Sequence, residues 1–131
     1  MVVEIPKGTR NKYEMGKEFP GIKLDRILYS SYVYPMEYGA IPQTYYTDKD
    51  PIDALVFMSQ PTFPGVILRA KPIGVLKMVD SGDIDNKWYV YALMTLFIRI
   101  LNHTRKYLNI YLRKQRISLP PIRHFKIRKL R

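Results

Sequence analysis

Asp48-Lys49-Asp50-Pro51-Ile52-Asp53 is an acidic turn, and Ala54-Leu55-Val56-Phe57-Met58, which follows it directly, is an apolar run. The Asp-Pro pair is typical of a turn, and the apolar run suits a buried strand. Short strands separated by proline and glycine are also predicted at Val2–Ile5, Lys12–Met15, Ile22–Leu28, Val66–Ala70 and Gly74–Val79. Strands at this spacing predict a mainly β fold, either a small barrel or a sandwich.

The chain of 131 residues is long enough for one domain and contains no cysteine, which is compatible with the cytoplasm. Its formal net charge of +11 is unevenly distributed: all eleven acidic residues lie in 1–87, where eleven Lys and Arg balance them. Residues 88–131 hold the other eleven Lys and Arg, and no acid or glycine. The sequence therefore predicts two parts, a core of residues 1–87 and a basic tail of residues 88–131.

Neither a signal peptide nor a membrane helix is predicted. The first six residues contain a carboxylate and a proline where a signal peptide needs an apolar run. The longest apolar stretch, 88–98, ends at Arg99 and is about half of the roughly twenty residues that a membrane-spanning helix needs. The segment 93–112 has a helix-compatible composition, and a basic amphipathic helix would suit nucleic acid or an acidic membrane surface.

The clustered aspartates are candidate ligands for divalent cations. Asp48, Asp50 and Asp53 share one turn, and Asp80 and Asp85 follow about thirty residues later. Carboxylate oxygens are the ligands that Mg²⁺ prefers, although a solvated acidic loop would have the same composition. The surroundings of the aspartates could hold a phosphate-rich anion beside the metal ions. They comprise the cations Lys12, Arg26 and Lys87, the phenol Tyr38 and the carboxylate Glu14. Two metal ions sharing a water can activate it for attack on phosphorus.

Several motifs of the core resemble those of the family I soluble inorganic pyrophosphatases. They are Val3-Glu4-Ile5-Pro6-Lys7-Gly8, Asn11-Lys12-Tyr13-Glu14, Leu24-Asp25-Arg26-Ile27-Leu28-Tyr29, Tyr38-Gly39-Ala40-Ile41-Pro42-Gln43-Thr44, the Asp48–Asp53 turn and Arg69–Asp80. The match covers nearly all of residues 2–87. It implies an OB-type five-stranded barrel that binds several Mg²⁺ ions and hydrolyses pyrophosphate to two phosphates. It also implies a cytoplasmic location and a homo-oligomer.

The resemblance also implies roles for single residues. Asp48, Asp53 and Asp85 would bind the first metal ion, and Asp80 would join Asp85 around another. Asp50 would accept the proton of the attacking water. The phosphate oxygens would be held by Lys12, Arg26 and Lys87, supported by Glu4, Glu14 and Tyr38. Two positions depart from the family pattern: Lys49 stands where glycine is common, and Ser81 where an acid is common.

The tail departs from the family entirely. After Lys87 the family continues with a strand, an aspartate-rich segment and a helix that ends in a phosphate-contacting Tyr-Lys pair, and none of these is recognisable here. Reading the tail from the third base of each codon allows Asp-Pro-Phe-Tyr-Lys-Asp-Ile within 93–101 and Phe-Phe-x-x-Tyr-Lys from 117, both family segments. We therefore interpret residues 88–131 as an out-of-frame translation, which predicts an incomplete barrel with an open edge.

Two other functions compete with pyrophosphate hydrolysis. An OB-type barrel with many tyrosines and a basic tail could bind single-stranded nucleic acid, but the acids of the core would repel a phosphate backbone. A pseudo-enzyme that binds Mg²⁺ weakly is the other alternative. The altered tail predicts that this chain turns over pyrophosphate more slowly than a complete family member, and that its oligomer is weakened.

Overall fold

The computed structural model describes residues 1–80 and 82–93, together with the backbone of 127–129. The fold is built of strands, as predicted. The part of the chain that the structure describes holds ten strands: β1 (Val2–Ile5), β2 (Asn11–Met15), β3 (Ile22–Ile27), β4 (Glu37–Ile41), β5 (Ile52–Phe57), β6 (Ala70–Leu76), β7 (Val79–Asp80), β8 (Asp83–Ile84), β9 (Lys87–Ala92) and β10 (Ile127–Lys129). No helix that is both long and apolar enough to cross a membrane occurs in the described ranges.

The central sheet has the strand order β1-β4-β5-β9-β6-β10, and β2-β3 and β7-β8 are separate hairpins. The sheet curls back on itself, because β1 also pairs with the segment that leads into β6. Val3 donates its backbone N–H to Val66 O (2.9 Å), Gly65 N–H donates to Val3 O (2.8 Å) and Leu68 N–H donates to Met1 O (2.8 Å). β1, β4, β5, β9 and β6 thus form an incomplete five-stranded barrel of the OB type.

Both faces of the central strands are buried. On one face Leu55 and Phe57 of β5 pack with Tyr89 of β9, and the rings of Phe57 and Tyr89 stack with centroids 5.7 Å apart. The other face carries a second cluster of Ala54, Val56, Val90 and Ala92. Since side chains alternate along a strand, Asp53 shares the face of Leu55, and Lys87 shares the face of Tyr89. The alternation therefore places these two charged residues beside each other at the edge of the first cluster.

The strand predictions need three corrections. Of the strand predicted over Val66–Ala70, residues 66–69 make only a single bridge, Val2 to Ile67, and Ala70 begins β6. β4 was not predicted as a strand. The prediction that no strand follows Lys87 is wrong, because β9 lies in the middle of the sheet, parallel to β5 and antiparallel to β6. Its Trp-Tyr-Val-Tyr-Ala run is apolar enough to fill this place whatever its origin.

The incomplete barrel predicted from the altered tail is confirmed, because the central sheet is open, with β1 at one end and β10 at the other. A single bridge, Val2 to Ile67, joins β1 to the segment before β6, and the backbone of β10 pairs with β6 over Gly74–Leu76. The helix considered for 93–112 lies, except for residue 93, outside the described residues. The departure from the family pattern at Ser81 also lies outside them.

Candidate active site

A cavity of about 510 Å³ opens between the β2-β3 hairpin and the acidic turn before β5. Seven residues predicted to form the site line this cavity: Glu4, Lys12, Glu14, Tyr38, Asp48, Asp50 and Asp53. They come from β1, β2, β4, the acidic turn and β5, so the fold brings together residues that are up to 49 positions apart. Among charged side chains, the lining holds six carboxylates against three lysines. An anion therefore enters this cavity favourably only after further positive charge has been supplied.

The acidic turn is held by its own backbone. Asp50 N–H donates to Asp48 Oδ1 (3.0 Å), and Tyr46 N–H donates to Asp50 O (2.9 Å). Lys49, between the two aspartates, has a φ of 69°, which lies in the left-handed region that favours glycine. This turn geometry explains why glycine would be the natural residue at position 49.

Lys87 connects three of the other predicted site residues. Its Nζ donates to Asp53 Oδ2, to Asp85 Oδ1 (2.5 Å) and to the Tyr38 hydroxyl (3.3 Å), and it lies 5.4 Å from the centroid of the Tyr38 ring. Burial opposes the charge of this lysine, but the hydrogen bonds from the two carboxylates outweigh it and raise the pKa of Lys87. Lys87 is therefore a fixed cation, and Asp53 and Asp85 share it.

Tyr38 and Glu4 lie at the buried side of the cavity. Burial, followed by the negative charge of Asp53, raises the pKa of the Tyr38 phenol, so the hydroxyl keeps its proton at neutral pH. Burial also raises the pKa of Glu4, partly offset by a hydrogen bond from Met15 N–H to its Oε1 (2.8 Å). Burial thus disfavours the charged form of both side chains.

The opposite wall is a chain of ion pairs on the β2-β3 hairpin. Lys12 Nζ contacts Glu14 Oε1 (2.6 Å) and Asp25 Oδ2 (3.4 Å), and Arg26 Nη1 contacts the same Asp25 oxygen (2.8 Å). Asp25 therefore holds Lys12 and Arg26 side by side. Two adjacent cations are suited to binding the oxygens of a phosphoryl group.

Four predicted site residues do not line the cavity: Arg26, Asp80, Asp85 and Lys87. Asp85 and Lys87 adjoin it through Asp53, and Arg26 adjoins it through Asp25. Asp80 lies apart from it on the exposed β7-β8 hairpin, opposite Asp83. The joint role of the aspartates therefore stays a prediction, with the acidic turn at the cavity, Asp85 beside Asp53 through Lys87, and Asp80 on the β7-β8 hairpin.

Three residues of the site were missed by sequence reasoning. Asp25 organises the two cations described above. The hydroxyl of Tyr34 has its pKa raised by burial, and its ring lies 6.0 Å from that of Tyr38. Lys17 forms an ion pair with Asp50 across the cavity (2.6 Å). Tyr34 could have been suspected because it precedes Tyr38 by four residues, but nothing in the sequence points to Lys17.

The carboxylates of the cavity are chemically suited to binding a divalent cation. They are hard oxygen donors, and they outnumber the lysines of the lining two to one. Within the described ranges, however, no three acidic or histidine side chains are close enough together to form one metal site. Lysine ammonium groups form ion pairs with these carboxylates instead. Lys87 pairs with both Asp53 and Asp85, and Lys17 pairs with Asp50. A metal ion would therefore exchange with these lysines at the carboxylates.

Comparison with known proteins agrees with this site. The family model of inorganic pyrophosphatase matches residues 1–116. The chain belongs to the inorganic pyrophosphatase family. A curated inorganic pyrophosphatase from Picrophilus torridus is 80% identical over 87 residues, which are 66% of this chain and 49% of that protein. One from Synechocystis is 53% identical over 87 residues, 66% of this chain and 52% of that protein.

Solved structures of inorganic pyrophosphatases share the fold. The protein from Neisseria gonorrhoeae has a TM-score of 0.78 at 30% identity, covering 93% of this chain and 71% of that one. The protein from Coxiella burnetii has a TM-score of 0.77 at 27% identity, covering 95% and 83%. The chain spans about half the length of the curated relatives that it matches. Inorganic pyrophosphatases generally use divalent metal ions, which agrees with the acidic lining of the cavity.

Proposed function

We propose that the chain hydrolyses inorganic pyrophosphate to two phosphates with the help of Mg²⁺, in the cytoplasm. The observation that carries this proposal is the cavity between the β2-β3 hairpin and the acidic turn, which is lined by six carboxylates and three lysines. A pyrophosphate anion needs cations at such a site, and Mg²⁺ binds carboxylate and phosphate oxygens together. The acidic lining also disfavours the nucleic-acid alternative, because the phosphate backbone would be repelled.

The carboxylates are assigned by position and chemistry. Asp48, Asp53 and Asp85 would hold Mg²⁺, and Asp80 would hold a further ion together with Asp85. Bound Mg²⁺ would neutralise the carboxylates and lower the pKa of a water molecule. Asp50, whose carboxylate faces the same opening, accepts the proton from the attacking water.

The cations bind the substrate. Lys12 and Arg26 exchange part of their contact with Asp25 for phosphoryl oxygens, and Lys87 reaches the phosphate from the side of Tyr38. Tyr38, whose hydroxyl keeps its proton, would donate a hydrogen bond to a phosphate oxygen. Glu14 holds Lys12 in place, and Glu4 supports the hairpin through Met15.

The test is phosphate release from pyrophosphate in Mg²⁺ and in EDTA, with Asp53→Asn and a matched Asp83→Asn control. Asp53 lies in the cavity and contacts Lys87, whereas Asp83 lies on the exposed β7-β8 hairpin. We expect Mg²⁺-dependent release that Asp53→Asn lowers about 100-fold or more and that Asp83→Asn leaves unchanged. A chain that binds Mg²⁺ and pyrophosphate but releases no phosphate would be the pseudo-enzyme instead.

We further propose that this chain is slower than a complete family member and that its homo-oligomer is weakened. The curated relatives are about twice as long as the matched segment, and the family segments expected after Lys87 are not recognisable in this chain. Out-of-frame translation of 88–131 remains our explanation. Sequencing the gene across codons 86–90 tests it directly, and an intact frame in independent isolates would contradict it.

A further inference from the structure

One wall of the cavity is apolar, although pyrophosphate offers nothing apolar to contact it. Tyr13, Met15 and Phe19 of the β2-β3 hairpin line the opening, and Phe19 and Met15 are 63% and 46% exposed. Leaving most of a phenyl ring in water forgoes part of the stabilisation that its burial would give. The proposed hydrolysis of pyrophosphate gives no role to this exposed ring.

The position of Phe19 is set by a tight loop. Gly16 N–H donates to Gly21 O (2.8 Å) and closes the loop, and a Cβ on Gly16 would lie 2.3 Å from Phe19 O. Only glycine allows the backbone at Phe19 to approach so closely. The loop is also tied across the cavity by the ion pair of Lys17 with Asp50. Phe19 is therefore held beside the cations of the cavity.

We propose that this cavity also binds diphosphate esters that carry a planar aromatic base, the chemical class of the nucleoside diphosphates. The diphosphate occupies the cations and metal ions described above, so this inference rests on the proposed function. The base stacks on the exposed ring of Phe19, with Met15 beside it. Lys17, Glu18 and Lys23, which flank Phe19 in sequence, line the same opening, so a negatively charged ester there still depends on the metal ions of the proposed function.

The test uses two probes that resist hydrolysis, methylenediphosphonate and its adenosine ester, titrated calorimetrically into the full chain in Mg²⁺. The variants are Phe19→Ala and the matched control Phe63→Ala, whose ring is similarly exposed at 69% but lies away from this cavity. Base–aromatic stacking contributes about 1–3 kcal/mol, so Phe19→Ala should weaken binding of the ester about 5-fold or more. Binding of methylenediphosphonate should change less than about 2-fold, and Phe63→Ala should change neither.

Each contrary result has a distinct meaning. If methylenediphosphonate binds and the adenosine ester does not, the aromatic subsite is absent and the inference is overturned while the proposed function stands. Equal weakening of both probes by Phe19→Ala would show that the ring supports the loop rather than the base, and would also overturn it. If neither probe binds, the proposed phosphate site fails and this inference fails with it.

Discussion

Replacing Lys87 with methionine removes the ammonium that Asp53 and Asp85 share, while keeping most of the volume of the side chain. Lys87 is 13% exposed, and each of the two carboxylates is 24% exposed. An exposed ion pair contributes at most about 1 kcal/mol, and breaking a fully buried one costs about 3–5 kcal/mol. For groups of this intermediate exposure, we expect Lys87→Met to lower the free energy of unfolding by about 2 kcal/mol.

The same change should increase the effect of Mg²⁺. With Lys87 absent, Asp53 and Asp85 face each other without a cation, which makes them a better place for a divalent ion. A ligand that binds only the folded state stabilises it in proportion to the logarithm of its concentration over its Kd. We therefore expect Mg²⁺ to stabilise Lys87→Met more than it stabilises the unaltered chain.

The measurement is urea denaturation in EDTA and in Mg²⁺, with the exposed Lys77→Met as the matched control. The control should lie within about 0.5 kcal/mol of the unaltered chain in both buffers. If Lys87→Met were as stable as the control in EDTA, the shared ammonium would not hold the two carboxylates together. If Mg²⁺ gave Lys87→Met no additional stability, these carboxylates would not be a place for the ion.

Three further predictions concern stability and turnover. Burial raises the pKa of Tyr89 to about 12, above the usual value of 10.0, so its contribution to stability is complete below pH 10 and is lost as the pH rises toward 12. We therefore compare the free energies of unfolding at pH 9 and pH 11.5, measured by urea denaturation. Between these pH values the free energy of unfolding should fall less in Tyr89→Phe than in the unaltered chain, by up to about 2 kcal/mol. Lys49→Gly should relieve the left-handed backbone and stabilise the chain by up to about 1 kcal/mol, whereas Lys77→Gly should not stabilise it. Restoring the family reading frame after codon 87 should raise the rate of phosphate release, and equal rates for the two chains would refute our interpretation of the tail.

Strand prediction succeeded where side chains alternate or where an apolar run is continuous. β4 was missed because a glycine interrupts its pattern. The structure explains that glycine: a Cβ on Gly39 would lie 2.0 Å from Val2 O, so only glycine lets β1 pair this closely. β9 was missed because a break in composition at residue 87 was interpreted as the end of the fold, although apolar residues there suffice to fill the sheet.

The site was predicted mainly from spacing and from resemblance. The acidic turn and Tyr38 line one cavity because β4 and β5 are neighbours in the central sheet, and Lys12 lines it from the separate β2-β3 hairpin. The role of Asp25 depends on which face of β3 points toward Lys12, and a register shift between Lys12 and Tyr13 sets that face. Such shifts, like the ion pair that joins Lys17 to Asp50, depend on tertiary contacts and cannot be read from the local sequence.

Binding of methylenediphosphonate in the presence and absence of Mg²⁺ tests most directly whether the acidic cavity needs divalent cations to hold a diphosphate. Titration calorimetry on the full chain gives both affinities without depending on catalysis. We expect clear binding in millimolar Mg²⁺ and binding at least about tenfold weaker in EDTA, because six carboxylates face three lysines in the lining. Equal affinity in the two buffers would contradict the account.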